Sequence, residues 1–407
     1  MRFVSLGCGG APHRCGEFLF RIPAKRRCPA VQVGDVACRW FRIRGASAIS
    51  WQQHRSRNDR TITIKTFIHS ARNGSLGLIE LRRPAAINAL TRGMLAQLTD
   101  LFTAWREDPT VSMVVLRGAG ERGFCAGGDI KDFHAAVTDS EHARFLELLS
   151  LEFDLNEMIS TYPKPVLTLV HGLCMGGGIG LSAHASIRIT TPEARFAMPE
   201  TRIGYSPDVG GTHLMGRAPG HLGEYLALTA STFSGADAVE LGFADMMVES
   251  DRFEEVIDAL ADFEAMPAAE IAAGLEVLFG SFAASGLAAA RPWIDAAFSA
   301  PDLAGILDRL DAMGHSDAVG AAAAIRANSP TSLHCALAAV RAARAEDHLR
   351  SALDRELRVA GYLMHRPDLA EGIRAQVIDK DKNPQWNPAG LDQVDTAEVA
   401  AVIAEVP

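Results

Sequence analysis

The sequence predicts an α/β domain followed by an α-helical C-terminal region, and three observations carry that reading. Between residues 61 and 250, short apolar runs of strand length alternate with stretches of helical period, punctuated by Gly, Pro and Asn-Gly. Two glycine-rich turns each come directly after such a run. Beyond about Asp251 the texture turns Ala-rich, and no further strand is evident.

Taken in order, residues 61–70 and Leu76–Leu81 read as strands flanking an Asn73-Gly74 turn, because Asn and Gly tolerate the positive φ that a tight hairpin needs. After Pro84, Thr91 is placed to cap a helix whose apolar positions Met94, Leu95, Leu98, Leu101, Phe102 and Trp105 share one face. Residues 112–117 form a buried strand that ends in Gly118-Ala119-Gly120. The order recurs more loosely, with Val166–Val170 as a buried strand, a Gly-rich turn, and residues 179–185 as a helix. In the C-terminal region the clearest helix is 347–364, where Leu349, Leu353, Leu357, Ala360 and Met364 recur at helical spacing. No solenoid repeat is evident.

Composition bounds the partners. The 407 residues are 48% hydrophobic and 22% charged, a soluble-globular balance with enough length for two packed units. Residues 1–60, with eleven Arg and one Lys against three acidic residues, carry +9, so the remainder carries −18 of the net −9. An acidic body gives no reason to expect nucleic acid or an anionic membrane as partner, and a polyanionic substrate would need a local cationic patch. The longest nearly uncharged run, 165–183, contains five glycines and His171, which suits a buried strand and loop rather than a membrane helix. Seven cysteines at 8, 15, 28, 38, 125, 174 and 335 fit free thiols in a reducing compartment. The first four lack a C-x-x-C pair or close His partners, so no metal site is read there. An Arg-rich, acid-poor segment such as 1–60 can be a transit peptide. Its few serines and lack of a clear amphipathic helix favour a disordered extension or a start codon placed too far upstream.

Chemistry concentrates in three places. Phe124-Cys125-Ala126-Gly127-Gly128-Asp129 and His171-Gly172-Leu173-Cys174-Met175-Gly176-Gly177-Gly178 are turns where a ligand can approach the backbone closely. Two such turns could converge into an oxyanion hole; taken singly, the same glycines could serve only tight turns and close helix packing. G-x-x-x-x-G-K-[ST], G-x-G-x-x-G with a downstream acid, G-x-S-x-G and H-E-x-x-H are all absent, which leaves carboxylates as working groups. Glu200 and Asp208 stand in the apolar, Gly- and Pro-rich segment 196–211, surroundings that raise a carboxylate pKa toward general acid/base use. The plainer alternatives are a helix N-terminal charge for Glu200 and a turn or cap residue for Asp208.

Glu80-Leu81-Arg82-Arg83-Pro84 through Asn88-Ala89-Leu90, then the two glycine turns and the segment 196–211, resemble in order the signature blocks of the crotonase (enoyl-CoA hydratase/isomerase) superfamily. The resemblance runs from about Thr61 to the C-terminus. It implies a crotonase-like spiral of ββα repeats with an α-helical C-terminal region, residues 61–250 being the acyl-CoA-binding catalytic core and 251–407 the helical part. By position it makes the N–H groups of Gly128 and Gly177 the oxyanion hole, lays Ala126 along the edge of the CoA adenine, and puts Asp129 among the substrate-binding residues. Enoyl-CoA hydratases resemble the chain at Glu200 but carry a second Glu where this sequence has Gly180. The Glu200 and Asp208 pair, in Phe196-Ala197-Met198-Pro199-Glu200-Thr201 and Pro207-Asp208-Val209-Gly210-Gly211, is similar instead to the 3-hydroxyisobutyryl-CoA hydrolases of valine breakdown. So are the later blocks Ser329-Pro330-Thr331-Ser332-Leu333, Glu371-Gly372-Ile373-Arg374-Ala375 and Ile378-Asp379-Lys380-Asp381 through Pro384-Gln385-Trp386. The same resemblance points to Glu152 beside the acyl group, the alternative being a solvated helix glutamate.

Two departures stand out. Ala85 occupies a position where the family often has a lysine for the CoA phosphates, leaving Arg82 or Arg83 for that duty, and His213 stands where relatives are usually aromatic. The resemblance implies an acyl-CoA thioester hydrolase with catalytic Glu200 and Asp208, no metal and no cofactor, CoA being part of the substrate. It implies a homo-oligomer in many relatives and a cytoplasmic location, or the mitochondrial matrix in a eukaryotic source. An enoyl-CoA isomerase or hydratase of the same superfamily is the nearest alternative; a non-catalytic acyl-CoA-binding protein is a remoter one.

Overall fold

The computed structural model describes residues 67–404 apart from 131–132, 135–141 and 264. The expectations for residues 1–60 and for the start of the first strand lie outside the described residues. Strands β1 (Ile68–Asn73) and β2 (Leu76–Leu81) pair antiparallel, with Asn73 opposite Leu76 and Gly74 at φ 58°. The Asn-Gly turn thus sets the register. The Thr91 side chain caps α1 (Arg92–Glu107), accepting from Met94 N at 3.3 Å. Met94, Leu95, Leu98, Phe102 and Trp105 form its buried face, with Leu101 only half-buried beside them. A Cβ at position 77 of β2 would stand 2.6 Å from the Trp105 ring, so glycine there lets helix and sheet close.

The chain then lays down strands in pairs: β3 (Met113–Gly118) with β4 (Gly123–Cys125), β5 (Val166–Val170) with β6 (Leu173–Met175), and β7 (Ile187–Thr190) with β8 (Arg195–Ala197). Two short strands, β9 (Phe233–Ser234) and β10 (Met246–Met247), finish the sheets. The first strand of each pair joins a six-stranded sheet ordered β1-β2-β3-β5-β7-β10, and the second joins a four-stranded sheet ordered β4-β6-β8-β9. Within both sheets the successive pairs run parallel. A helix follows each pair: α2 (His142–Ser160), α3 (Gly177–Ala183) and α4 (Gly211–Arg217). Two strands and a helix, stacked in parallel, make the expected ββα spiral. Every residue of β5 is buried, as befits a strand inside a parallel sheet covered on both faces. Because the repeats stack, the segments that follow β4, β6 and β8 become neighbours in space. That is what builds the site.

Helices α5 (Leu222–Thr229) and α6 (Gly235–Leu241) complete the core, and after β10 the described chain is helical. It runs through α7 (Phe253–Ala259), α8 (Ala268–Phe279), α9 (Gly286–Phe298), α10 (Leu303–Met313), α11 (Ser316–Ala327), α12 (Pro330–Glu346), α13 (Leu349–Leu363), α14 (Pro367–Ile373) and α15 (Thr396–Ala404). Arg344 of α12 grips the fully buried Glu224 of α5 with both nitrogens, at 2.6 and 2.8 Å. A bidentate pair of this kind is costly to break, since removing one partner strands the other charge in the interior. The described cysteines Cys125, Cys174 and Cys335 are buried free thiols. No helix among the described residues is long and apolar enough to cross a membrane.

Candidate active site

The first glycine turn is held by the block Asn88-Ala89-Leu90. Asn88, fully buried at φ 55°, accepts from Arg83 N at 2.9 Å and donates to the carbonyls of Ala119, Gly123 and Phe124 at 3.0 to 3.2 Å. Ala126 N donates to Ile87 O, Leu90 N to Gly127 O and Asp129 N to Leu90 O, each at 2.8 Å. This bridge uses the groups on either side of Gly128 and leaves the Gly128 N–H outside it. Asp129 is further pinned by an ion pair with Arg83 at 2.6 Å.

The second turn comes directly against the first. A Cβ on Gly127 would lie 2.9 Å from Met175 O and 3.3 Å from Gly177 N, and the residue sits at φ 91°, so only glycine fits. Gly176, at φ 44°, starts α3, and Gly177 is its first residue, where a backbone N–H has no acceptor within the helix. The two glycine turns read separately in the sequence are therefore one structure.

Helix α2 crosses over this turn and places two polar side chains on it. Glu152 is 2% exposed, and its Oε1 stands 2.1 Å from where a Gly177 Cβ would be. One helical turn on, the fully buried Asn156 brings Nδ2 and Oδ1 to 2.9 and 3.0 Å from the Cβ position of Gly180. Val209 Cβ closes the same space at 2.7 Å. Glu152 is thus not the solvated helix glutamate of the alternative reading.

Glu200 opens the 3-10 turn Glu200–Ile203 beyond β8, and Asp208 lies in the segment before α4. Both are 7% exposed. The acid-at-a-helix-start reading of Glu200 holds geometrically, since it is the first residue of that turn. Asp208 does not cap α4, whose N-cap is Gly210 with no side-chain cap bond, but the turn reading holds: its carbonyl accepts from Gly211 N at 2.7 Å. Thr201 fixes the Glu200 turn, donating to Ala227 O at 3.2 Å while its own hydroxyl and carbonyl accept from Asn328 Nδ2 and Ser329 N, both at 3.2 Å. After Asp208 the backbone passes through Val209 at φ 53°, an uncommon conformation for a β-branched residue. His184 Nε2 donates to the Val209 carbonyl at 2.8 Å. Glu356 of α13 accepts from Gly210 N at 2.7 Å, Thr212 N at 2.9 Å and Thr212 Oγ1 at 2.5 Å.

Four buried carboxyls thus belong to one electrostatic group. Burial pushes Glu200 well above the usual glutamate range, and the negative charges of Asp208 and Glu356 add to it. Asp208 is pushed up to about 7 by burial, with the Tyr205 hydroxyl beside it pulling the other way. Glu152 rises to about 8, from burial first and Asp208 after it, and Glu356 rises to about 8 from burial, against the pull of its hydrogen bonds from Thr212 and Gly210. Desolvation is the leading cause throughout, because a charge with little water around it favours its neutral form. His184 is pushed down to about 4 and remains neutral. Glu152 Oε1, Glu200 Oε2, both amide atoms of Asn156, the hydroxyl of Ser206, and His213 Nδ1 are buried without a hydrogen-bond partner among the described residues. Unpaired polar atoms gathered with perturbed carboxyls are what a substrate site presents.

The sequence named Glu152, Glu200, Asp208 and the two turns. It missed Asn156 and Glu356, although both fall on buried helical faces: Asn156 between Phe153 and Ile159, and Glu356 between Leu353 and Ala360. A polar residue inside an apolar stripe was the available signal. Arg82 and Arg83, considered for phosphate binding, already hold Glu80 and Asp129.

The profile of a family described as enoyl-CoA hydratase/isomerase matches residues 76–403. A protein named 3-hydroxyisobutyryl-CoA hydrolase, mitochondrial, from Xenopus tropicalis is 37% identical over 329 residues, which cover 79% of this chain and 84% of that protein. The protein of the same name from Homo sapiens is 35% identical over 338 residues, again 79% and 84%. Among solved structures, a carnitinyl-CoA dehydratase from Mycobacterium thermoresistibile superposes with a TM-score of 0.77 at 39% identity, covering 84% of this chain and 97% of that one. An enoyl-CoA hydratase from Rhodobacter sphaeroides 2.4.1 gives 0.78 at 36% identity, with 84% and 98% covered.

Proposed function

From the premise that this chain belongs to the enoyl-CoA hydratase/isomerase family, we propose that it hydrolyses an acyl-CoA thioester, with 3-hydroxyisobutyryl-CoA as substrate and 3-hydroxyisobutyrate and CoA as products. The relatives that carry this name supply the substrate. The observation that carries the reaction type is the pair Glu200 and Asp208, buried together beside two converging glycine turns, with no carboxylate at position 180.

In the proposed reaction the thioester oxygen accepts from the N–H groups of Gly128 and Gly177. These dipoles are fixed before the substrate arrives, so they stabilise the oxyanion without reorganising. Glu200 and Asp208 keep a proton between them near neutrality, because two close carboxylates with little solvent resist ionising together. With the proton on Asp208, Glu200 delivers an oxygen to the carbonyl carbon. That oxygen is its own, giving a mixed anhydride that water then opens, or belongs to a water it deprotonates. The C–S bond breaks, and the departing thiolate takes the proton from Asp208. Glu152 and Asn156, laid over Gly177 and Gly180, border the acyl group. The mechanism draws on carboxyl groups and backbone dipoles, without a cofactor. We place the enzyme in the cytoplasm, or the matrix in a eukaryotic source, and leave room for a homo-oligomer.

The structural relatives titled hydratase and dehydratase favour a second reading, addition of water across a double bond. The contents of the site oppose it. Any side chain at position 180 meets Val209 at 2.7 Å and Asn156 at 2.9 Å, so the place of a second glutamate is filled. The test is free CoA released from 3-hydroxyisobutyryl-CoA and, separately, hydration of crotonyl-CoA. Release by the wild type and none by a folded Glu200→Gln variant is the expected result. An active Gln variant removes Glu200 from its role, and hydration without CoA release overturns the reading as a whole.

A further inference from the structure

The C-terminal helices contribute a side chain to the site that neither glycine turn nor the Glu200–Asp208 pair accounts for. Glu356 comes from α13, well over a hundred residues beyond Asp208, yet it is 3% exposed and all three donors it meets belong to the N-cap and first turn of α4, directly after Asp208. It accepts from Gly210 N at 2.7 Å, Thr212 N at 2.9 Å and Thr212 Oγ1 at 2.5 Å. The two backbone donors sit two and four residues after Asp208, so they fix the direction in which the chain leaves it. The turn needs fixing. Val209 holds a left-handed conformation that a β-branched side chain resists, and it persists only where its surroundings over-determine it. His184 holds the Val209 carbonyl from one side at 2.8 Å, and Glu356 holds the next N–H groups from the other. Gly210 cannot carry a side chain between them, since its Cβ would meet His184 Nε2 at 2.5 Å and Leu349 Cδ1 at 2.6 Å.

We propose that Glu356 is the positioning residue for Asp208: through Gly210 and Thr212 it sets where the Asp208 carboxyl stands beside Glu200, so that the C-terminal region is part of the catalytic apparatus. The inference rests on the role proposed above for Asp208. In its ionised form Glu356 accepts all three bonds through its two oxygens; burial opposes that form, and the bonds from Thr212 and Gly210 favour it. The amide of Gln offers one acceptor oxygen and turns an NH2 toward a donor, so at least one bond is lost and replaced by repulsion. Asp keeps both acceptors but falls short by a methylene. Misplacement by about 1 Å is enough for roughly a hundredfold loss in rate.

The experiment compares full-length wild type, Glu356→Gln, Glu356→Asp and Thr212→Val by thermal melting, by kcat and KM for CoA release, and by amide hydrogen exchange across residues 208–212. Expected for Glu356→Gln is a kcat lower by about 10- to 100-fold with KM within about twofold, in a protein that still melts cooperatively. Exchange in 208–212 should rise at least about tenfold while β5 and α1 keep wild-type protection. Glu356→Asp should recover part of the rate, and Thr212→Val, which keeps both backbone bonds, should lose only a few-fold. A Gln variant with wild-type kcat overturns the proposal, as does one whose rate falls only with its folded fraction while exchange at 208–212 is unchanged. Should the Gln variant not fold, Asp and Val decide: full kcat and full protection in both overturn it. A wild type that releases no CoA defeats the hydrolase reading instead, and the exchange measurement still tests the clamp.

Discussion

Replacing Glu152 by Gln should make the protein less sensitive to rising pH while impairing its activity. Glu152 is 2% exposed, its Oε1 has no partner among the described residues, and its pKa is pushed from 4.5 to about 8 by burial and by Asp208. The sign follows from where the proton sits. Below 4.5 the folded and unfolded chains are both protonated at this position, and the group costs no charge burial. Between 4.5 and 8 the unfolded chain loses its proton while the folded one must keep it, so stability falls as pH rises through that window. At about 1.4 kcal/mol per pH unit, the whole displacement is worth about 5 kcal/mol, an upper bound for a site that can relax. Some 3 to 4 kcal/mol of it should be lost between about pH 5 and pH 8. The amide of Gln has nearly the same shape and does not titrate; its own unpaired polar atoms cost about 1 to 3 kcal/mol, independent of pH. Urea unfolding of both proteins at several pH values from 5 to 8 isolates the difference, because the other buried carboxyls contribute a similar slope to each. The wild type should lose about 3 kcal/mol more than the variant across the series. Parallel lines for the two proteins would refute the reasoning, and so would a variant that is the more pH-sensitive. The same variant should turn over substrate poorly, since a group kept at such a cost is kept for binding or chemistry.

Two further substitutions probe the glycine turns. Gly177→Ala puts a Cβ 2.1 Å from Glu152 Oε1 and 3.2 Å from Leu90 Cδ1, so the carboxyl or the turn must retreat by roughly 1 Å; kcat for CoA release should fall about a hundredfold with the fold intact, and a wild-type rate would remove Gly177 from the oxyanion hole. Gly180→Glu, which restores the hydratase pattern in sequence, must displace Val209 and Asn156. It should lower the melting temperature and abolish CoA release without hydrating crotonyl-CoA, and the appearance of hydration, followed as loss of the enoyl thioester absorbance, would show that the pocket was never closed to a second carboxylate.

What the sequence made legible followed from local rules. Asn73-Gly74 set a hairpin, Thr91 capped a helix with one apolar face, and a short uncharged run such as Val166–Val170, broken only by Thr168, marked a strand buried on both sides. Glu200 and Asp208 were legible because few apolar, Gly- and Pro-rich segments carry acids. What stayed hidden depended on contacts between distant parts of the chain. Nothing local says that Gly127 and Gly177 touch, or that Asn88 ties three carbonyls of β4 and the loop before it. Glu356 stands among arginines on an amphipathic helix, and Asn156 among apolar neighbours on α2. Each lies within a buried face, and helical phase alone could have singled them out.

The C-terminal helices also explain how a site of this composition can persist. Four buried carboxyls with raised pKa values oppose the folding of the segments that carry them, and two of them, Glu200 and Asp208, lie in short turns rather than on long helices. Each turn is braced from beyond residue 327. The Glu200 turn is held by backbone and packing: Asn328 and Ser329 bond Thr201, a Cβ on Gly204 would stand 2.2 Å from Asp368 O, and one on Gly372 would stand 2.3 Å from Ile203 C. The Asp208 turn is held by the Glu356 carboxyl. Ser329 is itself fixed by Asp368, whose second oxygen accepts from Asn387 N at 2.7 Å, so the brace continues into the segment just before the last helix. The blocks around Ser329 and Gly372, which in the sequence set the chain apart from ordinary hydratases, are therefore also the mechanical support of the Glu-plus-Asp pair. A chain with the two carboxyls but without these helices would keep the core contacts of His184 and Ala227 and lose every brace named here from beyond residue 327.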